Sequence, residues 1–229
     1  MKILFNYLSI SLFIFILACD TPKKESEDKK QVTAEKVEKE EPKNNIIFFG
    51  NSLTAGYGVE SEEAFAGLIQ NRLDSLGYEY NVINAGVSGE TTASGLSRVE
   101  WVVKRQPVEI FVLELGGNDG LRGISPEETN KNLRAIIDKV RKIHPEVKIL
   151  LAGMMVPPNM GADYAQEFQK LFPEIAKDKN VNLIPFLLKD VGGEADLNQP
   201  DGIHPTPEGH KIVAETVWSH LGDMVGKGA

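Results

Sequence analysis

The sequence predicts an α/β fold built on a parallel sheet with both faces covered by helices. Short continuous apolar runs alternate with amphipathic stretches of helix length, which is how strands buried on both sides read. Helix-start signals stand at the right places: Ser125-Pro126-Glu127-Glu128 and Thr206-Pro207-Glu208 each offer a hydroxyl cap, a proline at the first helical position and acids at the positive helix end. A single core also suits the length, since about 180 residues remain from Ile46 onward, enough for one domain.

Taken in order, Ile46 to Phe49 is the first buried strand, followed by a helix from Glu62 to Leu76. Tyr80 to Ile83 is a strand and Thr92 to Arg105 a helix. Val108 to Leu115 is the strongest strand signal, and the helix capped by Ser125 runs to Ile143. Lys148 to Ala152 is the fourth strand, Asp163 to Lys177 a helix, Val181 to Ile184 the fifth strand, and the helix capped by Thr206 runs to His220.

What precedes this domain is of a different kind. Lys2 followed by the apolar stretch Ile3 to Leu17 reads as a secretory leader over residues 1–18. It is shorter than the ~20 residues a spanning helix needs. Leu17-Ala18 leads into Cys19, the only cysteine, in the manner of a bacterial lipoprotein signal. Acylation there would anchor the chain to a membrane of the cell envelope and leave no thiol for a disulfide or a zinc–thiolate site. Residues 19–44 are rich in Lys and Glu and poor in apolar residues, so they read as a charged tether that cannot offset its ordering entropy. The domain then spans 45–229. A net charge of −8 argues against nucleic acid as a partner. Nothing in the chain calls for a metal or an organic cofactor, and the domain is self-sufficient as a monomer.

In parallel sheets, ligands bind beyond the carboxyl ends of the strands. Ser52, Gly86 and Asn118 lie just past strands one, two and three, and Asp201 and His204 follow strand five. A serine hydroxyl is a poor nucleophile until a base takes its proton, and the base needs a partner to fix its tautomer. Ser52 in a tight turn, His204 as base and Asp201 as its orienter supply that set. The backbone N–H groups of Ser52 and Gly86 and the Asn118 amide are candidate donors to an oxyanion. Taken singly, each is ordinary loop chemistry: a cap, a strand end, a capped turn. His144, His210 and His220 carry structural or solvent roles.

Phe49-Gly50-Asn51-Ser52-Leu53-Thr54-Ala55-Gly56 resembles the first block of the SGNH (GDSL) hydrolase superfamily. Gly86 in Asn84-Ala85-Gly86 takes the place of the second block. Gly116-Gly117-Asn118-Asp119 is similar to the third, and Asp201-Gly202-Ile203-His204-Pro205 to the fifth. The resemblance covers Ile46 to His220. It implies a flavodoxin-like three-layer α/β/α sandwich on a five-stranded parallel sheet, no metal or cofactor, and hydrolysis of acyl esters and thioesters through Ser52, Asp201 and His204. Asn51 stands where that block usually has Asp, so a charge is missing beside the serine. The five-residue nucleophile elbow of α/β-hydrolases is not matched, because Thr54 occupies the place of its second glycine.

Two apolar loops suggest where an acyl chain would lie. Gly120-Leu121-Arg122-Gly123-Ile124 is the segment the resemblance makes a mobile acyl-side loop, and Met154 to Gly161 follows strand four on the same sheet edge. Asn51, Leu121, Ile124, Val156 and Pro157 are the expected substrate-binding residues, with lysophospholipid or another small acyl ester as partner. The alternative for the second loop is a Pro-rich turn packed on the core. Two other readings of the whole chain stand beside the esterase: a carbohydrate acetylesterase, which would show a small polar site, and a non-catalytic acyl- or glycan-binding lipoprotein.

Overall fold

The apolar runs form five parallel strands in a computed structural model that describes residues 44–226. The leader at 1–18, Cys19 and the tether up to residue 43 lie outside the described residues. The strands are β1 (Asn44–Gly50), β2 (Tyr80–Gly86), β3 (Ile110–Glu114), β4 (Lys148–Ala152) and β5 (Asn182–Ile184), in the order β2-β1-β3-β4-β5. The chain direction across the sheet reverses between β1 and β3, a point where loops diverge and leave a crevice. Register places Gly50 opposite Gly86 on one side and opposite Glu114 on the other, so three strand ends stand in one row.

Five longer helices cover the sheet: α2 (Phe65–Ser75), α3 (Thr92–Val103), α5 (Pro126–Ile143), α6 (Ala162–Lys179) and α7 (Pro207–Leu221). Two single-turn helices, α1 (Ser52–Ala55) and α4 (Gly117–Leu121), sit directly at the strand ends. Helix α5 packs between α3 and α6, while α2 pairs with α7, giving the three-layer sandwich. The core fills both interfaces, with Ile46, Ile47, Phe48 and Phe49 of β1 at zero exposure. Both predicted caps form: Ser125 accepts from the Glu128 N–H and Thr206 from the Gly209 N–H.

Element ends differ in instructive places. Helix α2 begins at Phe65, not Glu62, because residues 60–64 form turns folded back on its first turn. A Cβ at Gly67 would lie 2.2 Å from the Ser61 carbonyl oxygen, so the fold-back needs glycine there. Strand β2 continues past Ile83 to Gly86, since Asn84 and Ala85 keep pairing with Phe48 and Phe49. Strand β3 is two residues shorter at its start and one at its end than Val108–Leu115. Among the described residues no helix is long and apolar enough to cross a membrane.

Candidate active site

The turn that carries Ser52 is built around Asn51, which caps α1 by accepting the Leu53 N–H on its side-chain oxygen at 2.9 Å. Gly56, at φ +74°, closes the same turn in the left-handed region that suits glycine. Ser52 is therefore the first residue of a one-turn helix and lies 8% exposed. Its backbone N–H has no acceptor among the described residues, as helix starts leave theirs.

His204 stands on a separate loop after the fifth strand. Asp201 Oδ1 accepts the backbone N–H groups of Ile203 (2.9 Å) and His204 (3.0 Å), and Gly202 turns the chain at φ +68°. Asp201 Oδ2 accepts from His204 Nδ1 at 2.7 Å, which leaves Nε2 as an acceptor for the Ser52 hydroxyl at 2.8 Å. The imidazole hydrogen bond and the two backbone donors hold the Asp201 carboxyl down at about 2. Tyr57 lies over the His204 ring at 4.6 Å, and Gln199 donates to both the Tyr57 and Pro205 carbonyls, tying the base loop to the nucleophile loop. A hydroxyl, an imidazole and a carboxylate in one hydrogen-bonded line can pass a proton from Ser52 Oγ to His204 Nε2.

Asn118, on α4, uses one amide hydrogen on the Glu90 carbonyl at 2.9 Å and keeps the other free. Gly86 departs from expectation. Its N–H donates to Asn84 Oδ1 at 3.0 Å, and a Cβ there would lie 2.3 Å from the Ala55 nitrogen. The absent side chain therefore makes room for α1, not for a ligand. Three residues on, Gly89 is exposed with φ +79°, and its N–H has no partner among the described residues. The segment around it is pinned to α4 by Asn118 on the Glu90 carbonyl and Arg122 on the Gly89 carbonyl (2.9 Å). The Thr92 N–H on the buried Asp119 carboxylate (2.9 Å) holds it from the other end. The sequence signal for this turn is the Ser88-Gly89 dipeptide, which lies beyond the strand end where the donor is expected.

Beside Ser52 and the 201–204 loop opens a cavity of about 550 Å³. Met154, Met155, Val156 and Pro157 form one wall, Leu121 lies at the rim, and Phe186 and Leu188 deepen it, neither of the last two singled out by sequence. Ile124 is not on that wall; it is half-buried and its carbonyl accepts from the Tyr164 hydroxyl at 2.7 Å. Asn51 borders the cavity, but its amide oxygen caps its own turn and its amide nitrogen donates to Glu114 Oε1 at 2.7 Å, so the side chain serves the turn and not a ligand. Glu114 itself, 1% exposed at the end of β3, was missed: it follows an apolar run and carries no local motif. Among the described residues, no three His, Cys, Asp or Glu side chains stand together as metal ligands would.

The profile of the GDSL-like Lipase/Acylhydrolase family matches residues 48–212, from β1 into α7. The chain belongs to that family. Within this acylhydrolase family it is 37% identical over 176 residues to "Esterase TesA" of Pseudomonas aeruginosa, covering 77% of this chain and 87% of that one. It is 33% identical over 182 residues to "Thioesterase 1/protease 1/lysophospholipase L1" of Escherichia coli, covering 80% and 85%. The crystal structure of TesA superposes with a TM-score of 0.76 at 36% identity, over 80% of this chain and all of that one. The SGNH resemblance and the α/β sandwich are thus borne out, and carboxylic ester hydrolysis is the chemistry of the acylhydrolase family.

Proposed function

We propose that the protein is a serine esterase acting on acyl esters and thioesters, lysophospholipids among them, through Ser52, His204 and Asp201. The observation that carries this is the unbroken line from Ser52 Oγ through both ring nitrogens of His204 to Asp201, opening on an apolar cavity. His204 Nε2 takes the Ser52 proton as Oγ forms a bond to the acyl carbonyl carbon. The carbonyl oxygen gains the charge and is received by the Ser52 N–H, the second Asn118 N–H and the Gly89 N–H. Collapse breaks the bond to the alkoxide or thiolate leaving group, which takes the proton from His204. Water then repeats the sequence on the acyl-enzyme and releases the carboxylic acid.

The substrate reading rests on the surroundings. Of the seven large hydrophobic side chains that stand exposed among the described residues, Tyr57, Val87, Met155 and Ile203 sit on loops, and Leu121 ends the one-turn helix α4, all at the carboxyl edge of the sheet. An apolar cavity inside an apolar rim fits an alkyl chain better than an acetylated sugar, and methionine accommodates chains of differing length. Acylated Cys19 would hold the enzyme at a membrane of the cell envelope, where such esters are found.

The test is hydrolysis of p-nitrophenyl esters from acetate to palmitate by the full-length protein, beside Ser52→Ala. The expected outcome is a rate that rises to an optimum at medium or long chains and falls at least about ten-thousandfold in the variant. Activity confined to acetate would redirect the reading to acetylated glycans. Equal rates in both proteins would remove Ser52 from the mechanism.

A further inference from the structure

Glu114 is a buried carboxylate that no step of the proposed mechanism uses, yet everything that bonds to it belongs to the nucleophile turn. Oε2 accepts the Asn51 backbone N–H at 3.0 Å and the Thr54 hydroxyl at 2.9 Å, and Oε1 accepts from Asn51 Nδ2 at 2.7 Å. These donors stand on either side of Ser52. Gly50 leaves the room: a Cβ there would lie 2.5 Å from Oε2 and 2.2 Å from Thr54 Oγ1. The groups that bond to the carboxylate, on Asn51 and Thr54, are neutral; a charged pair, Arg98 with Glu90, stands beyond Gly50, with Arg98 Nη2 donating to the Gly50 carbonyl at 3.4 Å. Among the described residues no lysine or arginine pairs with it.

We propose that Glu114 is a positioning residue for Ser52, and that Glu114 and Asn51 form an acceptor–donor pair that can be exchanged as a unit but not altered singly. The proposal rests on the reading of Ser52 as nucleophile. Three donors converge on Glu114, and only an ionised carboxylate accepts at both oxygens without offering a hydrogen back. Such charge-assisted bonds are short and directional. Here they fix the first turn of α1, and with it the line from Ser52 Oγ to His204. Burial pushes the carboxyl up to about 7, so it takes up a proton within the range where an esterase works. Once protonated, it loses the charge that strengthens these bonds and adds an O–H among groups that already donate to it.

The pairing also gives the Asn51 amide a task that a carboxylate at this position could not perform without a proton, which is donating to Glu114 Oε1. The change Asn51→Asp alone would set a second carboxyl group against Glu114 where the amide now stands at 2.7 Å, and the two would have to share a proton. The change Glu114→Gln alone would aim an NH₂ at the Asn51 NH₂, or force Asn51 to flip and turn its NH₂ on the Leu53 N–H. When both changes are made together, every bond returns with the polarity of one reversed. The introduced amide oxygen then accepts from the residue 51 N–H and from Thr54, and the introduced NH₂ donates to the new carboxylate on α1's cap.

The experiment measures kcat, KM and their pH dependence with p-nitrophenyl butyrate on full-length wild type, Glu114→Gln, Asn51→Asp and the double variant. Glu114→Gln is expected to lower kcat roughly ten- to hundredfold with KM nearly unchanged, since misplaced reacting groups lose rate and not binding. It should also lose an ionisation near pH 7 from the acid limb of the profile. Asn51→Asp should stay within about tenfold of wild type below neutral pH and fall away as pH rises and the shared proton leaves. The double variant should return to within about threefold of wild type. A double variant no better than the product of the singles, or wild-type kcat in Glu114→Gln, would overturn the proposal. Should Glu114→Gln not fold by circular dichroism, Thr54→Val takes its place: a several-fold lower kcat at unchanged KM is expected, and wild-type kcat would overturn it. Ser52→Ala run alongside separates the two levels, because equal rates there sink the nucleophile itself, whereas a Ser52-dependent rate indifferent to Glu114 sinks only this pairing.

Discussion

The two halves of the proposed catalytic line, Ser52 with its turn and His204 with Asp201, are built on opposite plans. The nucleophile half is interior: Asn51, Ser52, Thr54 and Glu114 are all buried, and their bonds join residues about sixty positions apart in sequence. The base half is a surface loop, with the Asp201 side chain 38% exposed and its three bonds all made within residues 201–204. The difference is one of where rigidity comes from. A hydroxyl that must not move is held by the packed end of a strand. An imidazole that must accept and release a proton is held by a tight local turn open to solvent. Changes on the buried side should therefore disturb fold and rate together, and changes on the loop should disturb rate alone.

The sharpest break of that contrast is Asp201→Asn. An amide of the same shape still accepts the backbone N–H groups on its oxygen, but its NH₂ then faces His204 Nδ1 and selects the wrong tautomer. By analogy with other serine triads, kcat/KM should fall about a thousandfold or more. The melting temperature should barely move, because exposed positions outside caps and cores shift stability by only about 0.5 kcal/mol. Kinetics and a thermal melt on one preparation check both halves of the statement. A fall in melting temperature to match the fall in rate would mean that the loop is as integral to the fold as α1.

A second pair of variants tests the same division among the oxyanion donors. Gly86→Ala drives a methyl into the Ala55 backbone, which cannot yield, and should destabilise the protein by about 3 kcal/mol. Gly89→Ala meets nothing nearer than Arg122 at 3.8 Å and loses only about 1 kcal/mol to its positive φ. Its effect should instead appear in kcat, as the Gly89 N–H is displaced from the oxyanion. Denaturant unfolding and steady-state rates distinguish them. A Gly86→Ala protein with wild-type stability and a collapsed kcat would restore Gly86 as the donor.

These glycines mark where sequence reading stopped. Phe49 to Gly56 and Asp201 to Pro205 were legible because their bonds close within a few residues: Asn51 caps its own turn, and Asp201 holds its own loop. The five strands were legible because a run such as Ile46 to Phe49 is apolar on both faces. Glu114 was not, since its meaning lies in donors that only the β1–β3 register brings to it. Gly86 was read as the donor because it stands at a strand end; its hydrogen bond to Asn84 and its close approach to Ala55 take it out of that role, and both depend on tertiary packing. Ile124 stands three residues beyond Leu121, but Leu121 ends the one-turn helix α4 and lines the cavity, whereas Ile124 follows the helix and does not.

The smallest expected effect concerns a second imidazole behind the base loop. His210 on α7 is buried, stacked on Phe65, and accepts the Phe65 N–H on Nδ1 at 3.3 Å. Burial first, and the charge on His204 second, hold it down at about 4. Its unfolded value lies near 6.5, so between these values the unfolded chain binds the extra proton. The stability that neutral His210 allows is fully present above about pH 6.5 and is lost as pH falls through the window toward 4, about 2 kcal/mol of it by pH 5. His210→Phe keeps the stacking, forgoes one hydrogen bond at every pH, and cannot charge. Urea unfolding at about pH 7 and about pH 5 should show wild type losing about 2 kcal/mol more than the variant across that interval. Equal losses would mean that His210 takes up its proton in the folded protein as readily as in the unfolded chain, and that the buried face of α7 tolerates the charge.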